Sequence, residues 1–440
     1  MEKVLVITYY WPPSGGAGVQ RILKFVKYFP QSGIKPFVLT VKEDKASYSV
    51  IDKTLLNDIP AEAEIFRTDT FEPYDYYSKL LGKKSIPTGF SNESSPGLFQ
   101  KFSRFIRGNF FIPDGRKGWI KFAFREACRI IERESIKTVI TSSPPHSVQI
   151  VGLKLKKKYD INWIADLRDP WTDIYYYNEF NHLKFAKKID SDYEKEVLEK
   201  ADKIITVGKS LKNLFAGKSK KIDPAKIHVI SNGFDEDDFK LKGNTKTTSD
   251  DEFIITYTGT LAESYKPEVF FKALEKVRDK YSDVKFSLRF IGNPATSIIE
   301  KIKNSSLENN LVLIPTVTHE KSVEYLLSST VLLLVIPEIK DDKGILTGKL
   351  FEYLGSQKPV ICIGPSDGDA ADIINECEAG KTFERNMETE IADYIEELVQ
   401  NRKLNMDIDI KNNCFKKYSR QSQTKEISEI IYKLKSNLKK

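Results

Sequence analysis

Residues 4–41, VLVITYYWPPSGGAGVQRILKFVKYFPQSGIKPFVLTV, decide the fold. Residues 4–8 are a short apolar run that ends in an aromatic, Pro- and Gly-containing loop over 9–16. From Val19 to Phe29 the apolar residues fall at 19, 22, 23, 26 and 29, which is helical spacing. Gly33 then stops the helix, and residues 36–41 read as a second strand. Strand, glycine loop, helix and strand together open a parallel α/β domain.

The same rhythm continues outward. Further strands are predicted over 64–68, 138–142, 162–166, 203–207 and 227–231, with helical segments between several of them. Residues 70–117 interrupt it as an insertion containing one helical patch. There Leu98, Phe99, Phe102, Phe105, Ile106 and Phe110 repeat at three-to-four spacing, with Lys101, Arg104 and Arg107 between them. That pattern suits a membrane-interface helix, and equally a core-facing helix with a solvated basic face.

The polar stretch 236–252 reads as a linker, after which strands restart over 253–258, 285–291, 311–314, 331–336 and 359–363. Helices are predicted over 268–280, 295–303, 321–328, 346–355 and 370–377. The fold class predicted is α/β, with two doubly wound Rossmann-like domains facing a shared cleft. Their bounds are 1–235 and 253–403, followed by a helical tail over 404–440.

Of the 440 residues, 40% are hydrophobic and 30% charged, which excludes wholesale disorder. No uncharged apolar stretch nears the ~18–20 residues of a membrane span, and the start has no secretory pattern. The expectation is a cytoplasmic protein. Cys128, Cys362, Cys377 and Cys414 are scattered without a metal or CxxC spacing, and fit a reducing compartment.

The net charge of +7 is uneven. Residues 1–240 hold 40 Lys and Arg against 31 Asp and Glu, while residues 241–440 hold 29 against 31. With no nucleic-acid motif in the chain, the basic excess points to an anionic substrate or an anionic membrane surface.

Several strand ends carry residues suited to chemistry. The loop Ser14-Gly15-Gly16-Ala17-Gly18 lets backbone approach a ligand at a helix start. It is no dinucleotide fingerprint, because Arg21 stands where the third glycine would be. Asp166, Arg168 and Asp169 follow a strand directly, where open α/β sheets bind ligands. They are candidate catalytic residues, or a structural ion pair. Thr258-Gly259-Thr260 ends another strand, with Lys266 nearby. Lys349 and Glu352 share a helix face at i,i+3, suited to a phosphate and a ribose diol, or to a plain surface pair. Residues 364–369 form a further candidate anion-binding turn.

Four stretches resemble a known family. They are residues 9–21 (YYWPPSGGAGVQR), 202–214 (DKIITVGKSLKNL), 229–239 (VISNGFDEDDF), and 348–355 followed by Lys358-Pro359-Val360. Over nearly all its length except 70–117, the chain looks like a family 4 glycosyltransferase of the GT-B fold.

The resemblance implies a retaining transferase that moves a sugar from a nucleotide-diphosphate sugar to an acceptor without a metal. By position Glu352 would hold the donor ribose and Lys266 the diphosphate. Gly15 and Gly16 would lie near diphosphate and acceptor, and Asp166 near the transferred sugar. Two departures are plain: Gly344 replaces one of the family's paired glutamates, and Thr260 replaces a common arginine. They leave phosphate charge to Lys266, Lys349 and helix N-termini.

The function expected is transfer to a glycan or lipid-linked acceptor in cell-surface polysaccharide synthesis. A hinge near 231–251 would close the cleft. Phe102, Arg104, Phe105 and Arg107 would serve acceptor or membrane binding at an anionic inner membrane face. A nucleotide-sugar epimerase and a non-catalytic carbohydrate- or membrane-binding relative are the competing readings.

Overall fold

The computed structural model describes residues 1–48, 50–72, 98–240, 252–406 and 408–437. It divides into two compact units, Met1–Ser231 with Arg420–Lys440, and Asn232–Ser419.

The first unit holds seven parallel strands: β1 Glu2–Ile7, β2 Ile34–Val41, β3 Glu64–Thr68, β4 Thr138–Ser143, β5 Asn162–Leu167, β6 Lys203–Thr206 and β7 Ile227–Val229. Their order is β3-β2-β1-β4-β5-β6-β7. Strands such as β4 and β5 are buried along their whole length, as sheets covered on both faces require. The helix Ala17–Tyr28 lays Val19, Ile22, Leu23, Phe25 and Val26 on one face. Helices Ile120–Glu134 and Ser147–Lys158 help cover the other.

The second unit holds β8 Glu252–Leu261, β9 Lys285–Pro294, β10 Leu311–Ile314, β11 Val331–Val335, β12 Val360–Ile363 and β13 Gly380–Phe383. All run parallel, in the order β10-β9-β8-β11-β12-β13. Both units are therefore doubly wound α/β sheets. Each reverses its strand order once, between β1 and β4 and between β8 and β11. In such sheets the ligand crevice lies at the strand carboxyl ends beside that reversal.

The chain divides elsewhere than expected at its end. Residues 404–440 do not form one tail. The segment up to Ser419 stays with the second unit, and the helix Arg420–Asn437 packs on the first. There Ile427, Ile430, Ile431 and Leu434 join the core under the helix Ala17–Tyr28. Four such buried side chains, at roughly 2 kcal/mol each, hold the helix before entropy is charged against them. The linker expected over 236–252 begins as a short helix, Glu236–Lys240; 241–251 lie outside the described residues.

Candidate functional site

At the reversal of the first sheet, β1 leads through the glycine loop into the helix Ala17–Tyr28. Gly15 donates its N–H to the Val50 carbonyl at 2.9 Å, so this loop is tied to the segment after β2. Gly16 is the N-cap, at φ 103 and without a side-chain cap; Val19 N–H turns back onto the Gly16 carbonyl at 3.0 Å, and the N–H groups before it are the ones that can face a ligand or water. The position of Gly18 is dictated by Arg168: a Cβ there would lie 2.0 Å from Arg168 Nη1.

Arg21, one turn into the helix, is fully buried. It pairs with Asp166 at 2.9 Å and donates to the Ile230 and Ser231 carbonyls at 2.8 and 2.7 Å. Ser142 Oγ donates to the other Asp166 oxygen at 2.6 Å. Asp166 is 1% exposed. The carboxylate expected to meet the transferred sugar is thus enclosed in a buried ion pair and has no free face.

Arg168 and Asp169 emerge beyond it. Arg168 Nε donates to the Ser143 carbonyl at 2.9 Å and Nη2 to the Pro144 carbonyl at 3.1 Å, which fixes the guanidinium against the glycine loop. Burial lowers its pKa, partly offset by Asp166 and Asp169. Asp169 is half-buried and makes no hydrogen bond or ion pair among the described residues. Burial raises its pKa, against the pull of Arg168.

Sequence reasoning missed His146, at the carboxyl end of β4. Its ring stacks on Trp171 at 4.4 Å and 9°, and its buried Nδ1 has no hydrogen-bond partner among the described residues. Burial first, then Arg168, pushes its pKa down to about 3, so the ring is neutral. The signal available was position alone: Ser142-Ser143-Pro144-Pro145-His146 directly follows a strand. Trp171 is itself held by Asp190, which accepts from Trp171 Nε1 at 2.7 Å and Tyr177 Oη at 2.9 Å.

A histidine depressed on folding contributes stability above its unfolded pKa of about 6.5, lost as pH falls toward 3. Halved for the ring's partial exposure, that loss is on the order of 2 kcal/mol. Stability of His146→Gln, measured by urea unfolding between pH 4 and 7, should therefore fall less steeply toward acid than that of wild type. Parallel curves would refute the assignment.

At the reversal of the second sheet, Gly259 and Thr260 near the carboxyl end of β8 are exposed, whereas Thr258 is buried against the Tyr353 hydroxyl. Gly259 sits at φ +87, and a Cβ there would come within 2.8 Å of Lys349 Cε. Lys349 belongs to the helix Gly348–Ser356. Its Nζ meets the Tyr257 hydroxyl at 2.8 Å and lies 4.6 Å from that ring's centre. Burial brings the ammonium down to about 8, opposed by Glu352. Thr347, the N-cap of this helix, has a buried hydroxyl without a partner among the described residues. An orphaned hydroxyl and a half-buried cation thus belong to the N-terminal turn of one helix, an arrangement chemically suited to an anion.

Glu352 follows on the same helix, with Oε1 3.8 Å from His319 Nδ1; His319 Nε2 is 3.0 Å from Asp238. Lys266 is 59% exposed and ion-paired with Glu338. The turn over 364–369 offers little to an anion, since Asp367 pairs with Lys343 and Ser366 donates to Glu384.

The expected acceptor or membrane residues lie on the helix Leu98–Phe110. The Phe102 side chain lies outside the described residues. Arg104 pairs with Glu179 at 2.8 Å and Arg107 lies 5.5 Å from the Phe180 ring centre, so both clamp the turn Tyr177–Phe180 rather than project outward. Phe105 is half-buried. Among the described residues no group of three or more His, Cys, Asp or Glu is placed to hold a metal ion, and no helix is long and apolar enough to cross a membrane.

Two family sequence models match consecutive parts of the chain. The one described as Glycosyltransferase Family 4 covers residues 88–238, and Glycosyl transferases group 1 covers residues 239–417. The chain is a GT-B glycosyltransferase.

Solved structures agree on the fold. Sucrose-phosphate synthase of Thermosynechococcus elongatus is 12% identical over 99% of this glycosyltransferase and 100% of its own chain, at a TM-score of 0.61. A TarM mutant of S. aureus, in complex with Fondaparinux, alpha-GlcNAc-glycerol and UDP, is 12% identical over 97% and 99%, at 0.59. A Listeria monocytogenes protein assigned as a UDP-N-acetylglucosamine 2-epimerase is 14% identical over 99% and 96%, at 0.54. At these identities the likeness establishes the GT-B fold alone. No curated protein matches the glycosyltransferase.

Proposed function

We propose that this glycosyltransferase is a retaining, family 4 enzyme that takes a sugar from a nucleotide-diphosphate donor to a glycan or lipid-linked acceptor in cell-surface polysaccharide synthesis. The observation that carries the reading is the anion site at Thr347 and Lys349. In a transfer from a nucleotide sugar, negative charge grows on the leaving diphosphate, and a fixed ammonium beside helix N–H groups stabilises it where it develops. Glu352, three residues along, takes the ribose hydroxyls. Lys266 reaches the diphosphate by exchanging Glu338 for it, and the exposed backbone of Gly259 and Thr260 leaves room for the phosphates. No metal is required, because lysines and helix dipoles supply the positive charge.

On the first unit, Gly15, Gly16 and the helix N-terminus accept polar oxygens. Arg168 and Asp169 orient the reacting sugar and the acceptor hydroxyl. Asp166 serves as a positioning residue: through Arg21 it holds the helix behind the glycine loop.

An epimerase is the second reading, because the same fold also occurs in the Listeria protein assigned as an epimerase. Incubation with UDP-glucose, UDP-GlcNAc and GDP-mannose separates the two by proton NMR. Release of nucleoside diphosphate with the anomeric configuration kept supports the transferase. Interconversion of sugar epimers, with the nucleotide released only after it, supports the epimerase.

Peripheral attachment to an anionic membrane belongs to the same proposal. It rests on Phe110, Leu183, Phe185 and Ile189, which are exposed beside the exposed Lys184, Lys187 and Lys188. Asn109 joins the two segments by accepting from the Leu183 N–H at 2.6 Å. Apolar side chains ringed by lysines suit an anionic lipid interface. The protein should co-sediment with phosphatidylglycerol vesicles and not with phosphatidylcholine ones, and Phe185→Asp with Ile189→Asp should reduce binding about tenfold or more. Equal sedimentation with both vesicle types would remove this part of the proposal.

A further inference from the structure

Cys377 and Cys414 are 37 positions apart in sequence, yet the Cys377 thiol donates to Cys414 Sγ at 2.7 Å. Both are free thiols in this structure. Cys377 caps the carboxyl end of the helix Asp369–Glu376 and is fully buried, whereas Cys414, in the turn Asn413–Tyr418, is partly exposed. Neighbouring contacts hold the two sulfurs together. Glu376, next to Cys377, pairs with Lys417 and accepts from the Tyr418 hydroxyl at 3.2 Å. Asn412 Oδ1 caps the Cys414 N–H at 2.9 Å. The same turn reaches the anion-site helix, since the Tyr418 ring lies 5.5 Å from that of Phe351, centre to centre.

We propose that Cys377 and Cys414 form a reversible disulfide site, closed by a small-molecule disulfide such as oxidised glutathione, which ties the turn Asn413–Tyr418 beneath the helix carrying Lys349. This inference does not depend on the reaction proposed above. Cys414 is the attacking sulfur, because it is the one that solvent reaches. As its thiolate it displaces one glutathione thiolate and forms a mixed disulfide. Cys377 then loses its proton and displaces the second glutathione from Cys414. Two protein thiols are oxidised, one glutathione disulfide is reduced to two thiols, and the two protein protons end on the departing thiolates. Burial raises the Cys377 thiol's pKa, which makes the second step the slow one.

The full chain is incubated with excess oxidised glutathione and examined by intact mass, peptide mapping and thermal unfolding, before and after dithiothreitol. The expected result is a loss of about 2 Da, the two thiol hydrogens, with a cross-linked Cys377–Cys414 peptide. Tm should rise by on the order of 10 °C, because a loop this long is closed in the unfolded chain, and dithiothreitol should reverse it. Cys414→Ser, a near-isosteric change at the partly exposed partner, should fold with the Tm of the reduced protein and show no shift with oxidant. Cys377 and Cys414 both still alkylatable after oxidation, four thiols in all with Cys128 and Cys362, would overturn the inference, and so would a persistent glutathione adduct on Cys414.

Discussion

Lys349→Ala should lower kcat/KM for the nucleotide sugar by about 10²- to 10³-fold, the range seen when one preorganised charge-stabilising group is removed. The effect follows from where the ammonium sits. It is pinned between the Tyr257 hydroxyl and the space over Gly259, and it lies in the first turn of a helix whose N-cap hydroxyl has no partner among the described residues. Burial holds it near 8 rather than above 10. Anion binding requires the charged form, so affinity for the donor should fall as pH rises through about 8, two units earlier than an ordinary lysine would allow. Glu352→Gln should cost about tenfold, the worth of a hydrogen bond to a charged group. Because Lys349 is only half enclosed and makes no ion pair within 4 Å among the described residues, the alanine variant should keep the wild-type Tm within a few degrees. Wild-type turnover in a folded Lys349→Ala protein would show that the donor binds elsewhere.

Asp166→Ala should lower Tm by about 10 °C or leave the protein insoluble. Removing one partner of a buried pair strands the other charge, at about 3–5 kcal/mol, and each kcal/mol is worth about 2–4 °C in a unit of this size. Here the stranded group would be Arg21, fully buried and gripping two carbonyls near the end of the unit's last strand. Asp166→Asn discriminates between roles. If Asp166 acted on the substrate, the near-isosteric amide would abolish turnover and spare Tm. If it holds Arg21 and the helix behind the glycine loop, Tm falls while the folded fraction keeps activity within about tenfold.

The sheets were legible because buried parallel strands are continuous apolar runs. β3 and β10 fall on their predicted residues, and the helix Glu268–Lys280 on its predicted span. β13 was missed: four residues, Gly-Lys-Thr-Phe, carry too little apolar signal. The helix Arg420–Asn437 shows an apolar face at Ile427, Ile430, Ile431 and Leu434, but periodicity says only that a helix packs, never on what.

The same limit applies to the candidate site. Three charged residues at the end of β5 were visible, but which lie inward is a matter of pleat and burial, and Asp166, inside the strand, went under while Asp169 stayed at the edge. Arg104 and Arg107 looked outward in the sequence because their partners, Glu179 and Phe180, come from a distant turn. The contact between Cys377 and Cys414 is tertiary and left no trace in spacing. Lys349 and Glu352 were found because a helix repeat brings i and i+3 together whatever the rest of the chain does.

On the proposed function, the second unit binds a nucleoside diphosphate at Thr347 and Lys349. Calorimetric titration of the full chain with UDP and with GDP, at pH 7 and for wild type beside Lys349→Ala, tests it most directly. One of the two nucleotides should bind wild type with one-to-one stoichiometry, and its affinity should fall by about 100-fold in the variant. Binding of neither nucleotide, or equal affinity for both proteins, would contradict it.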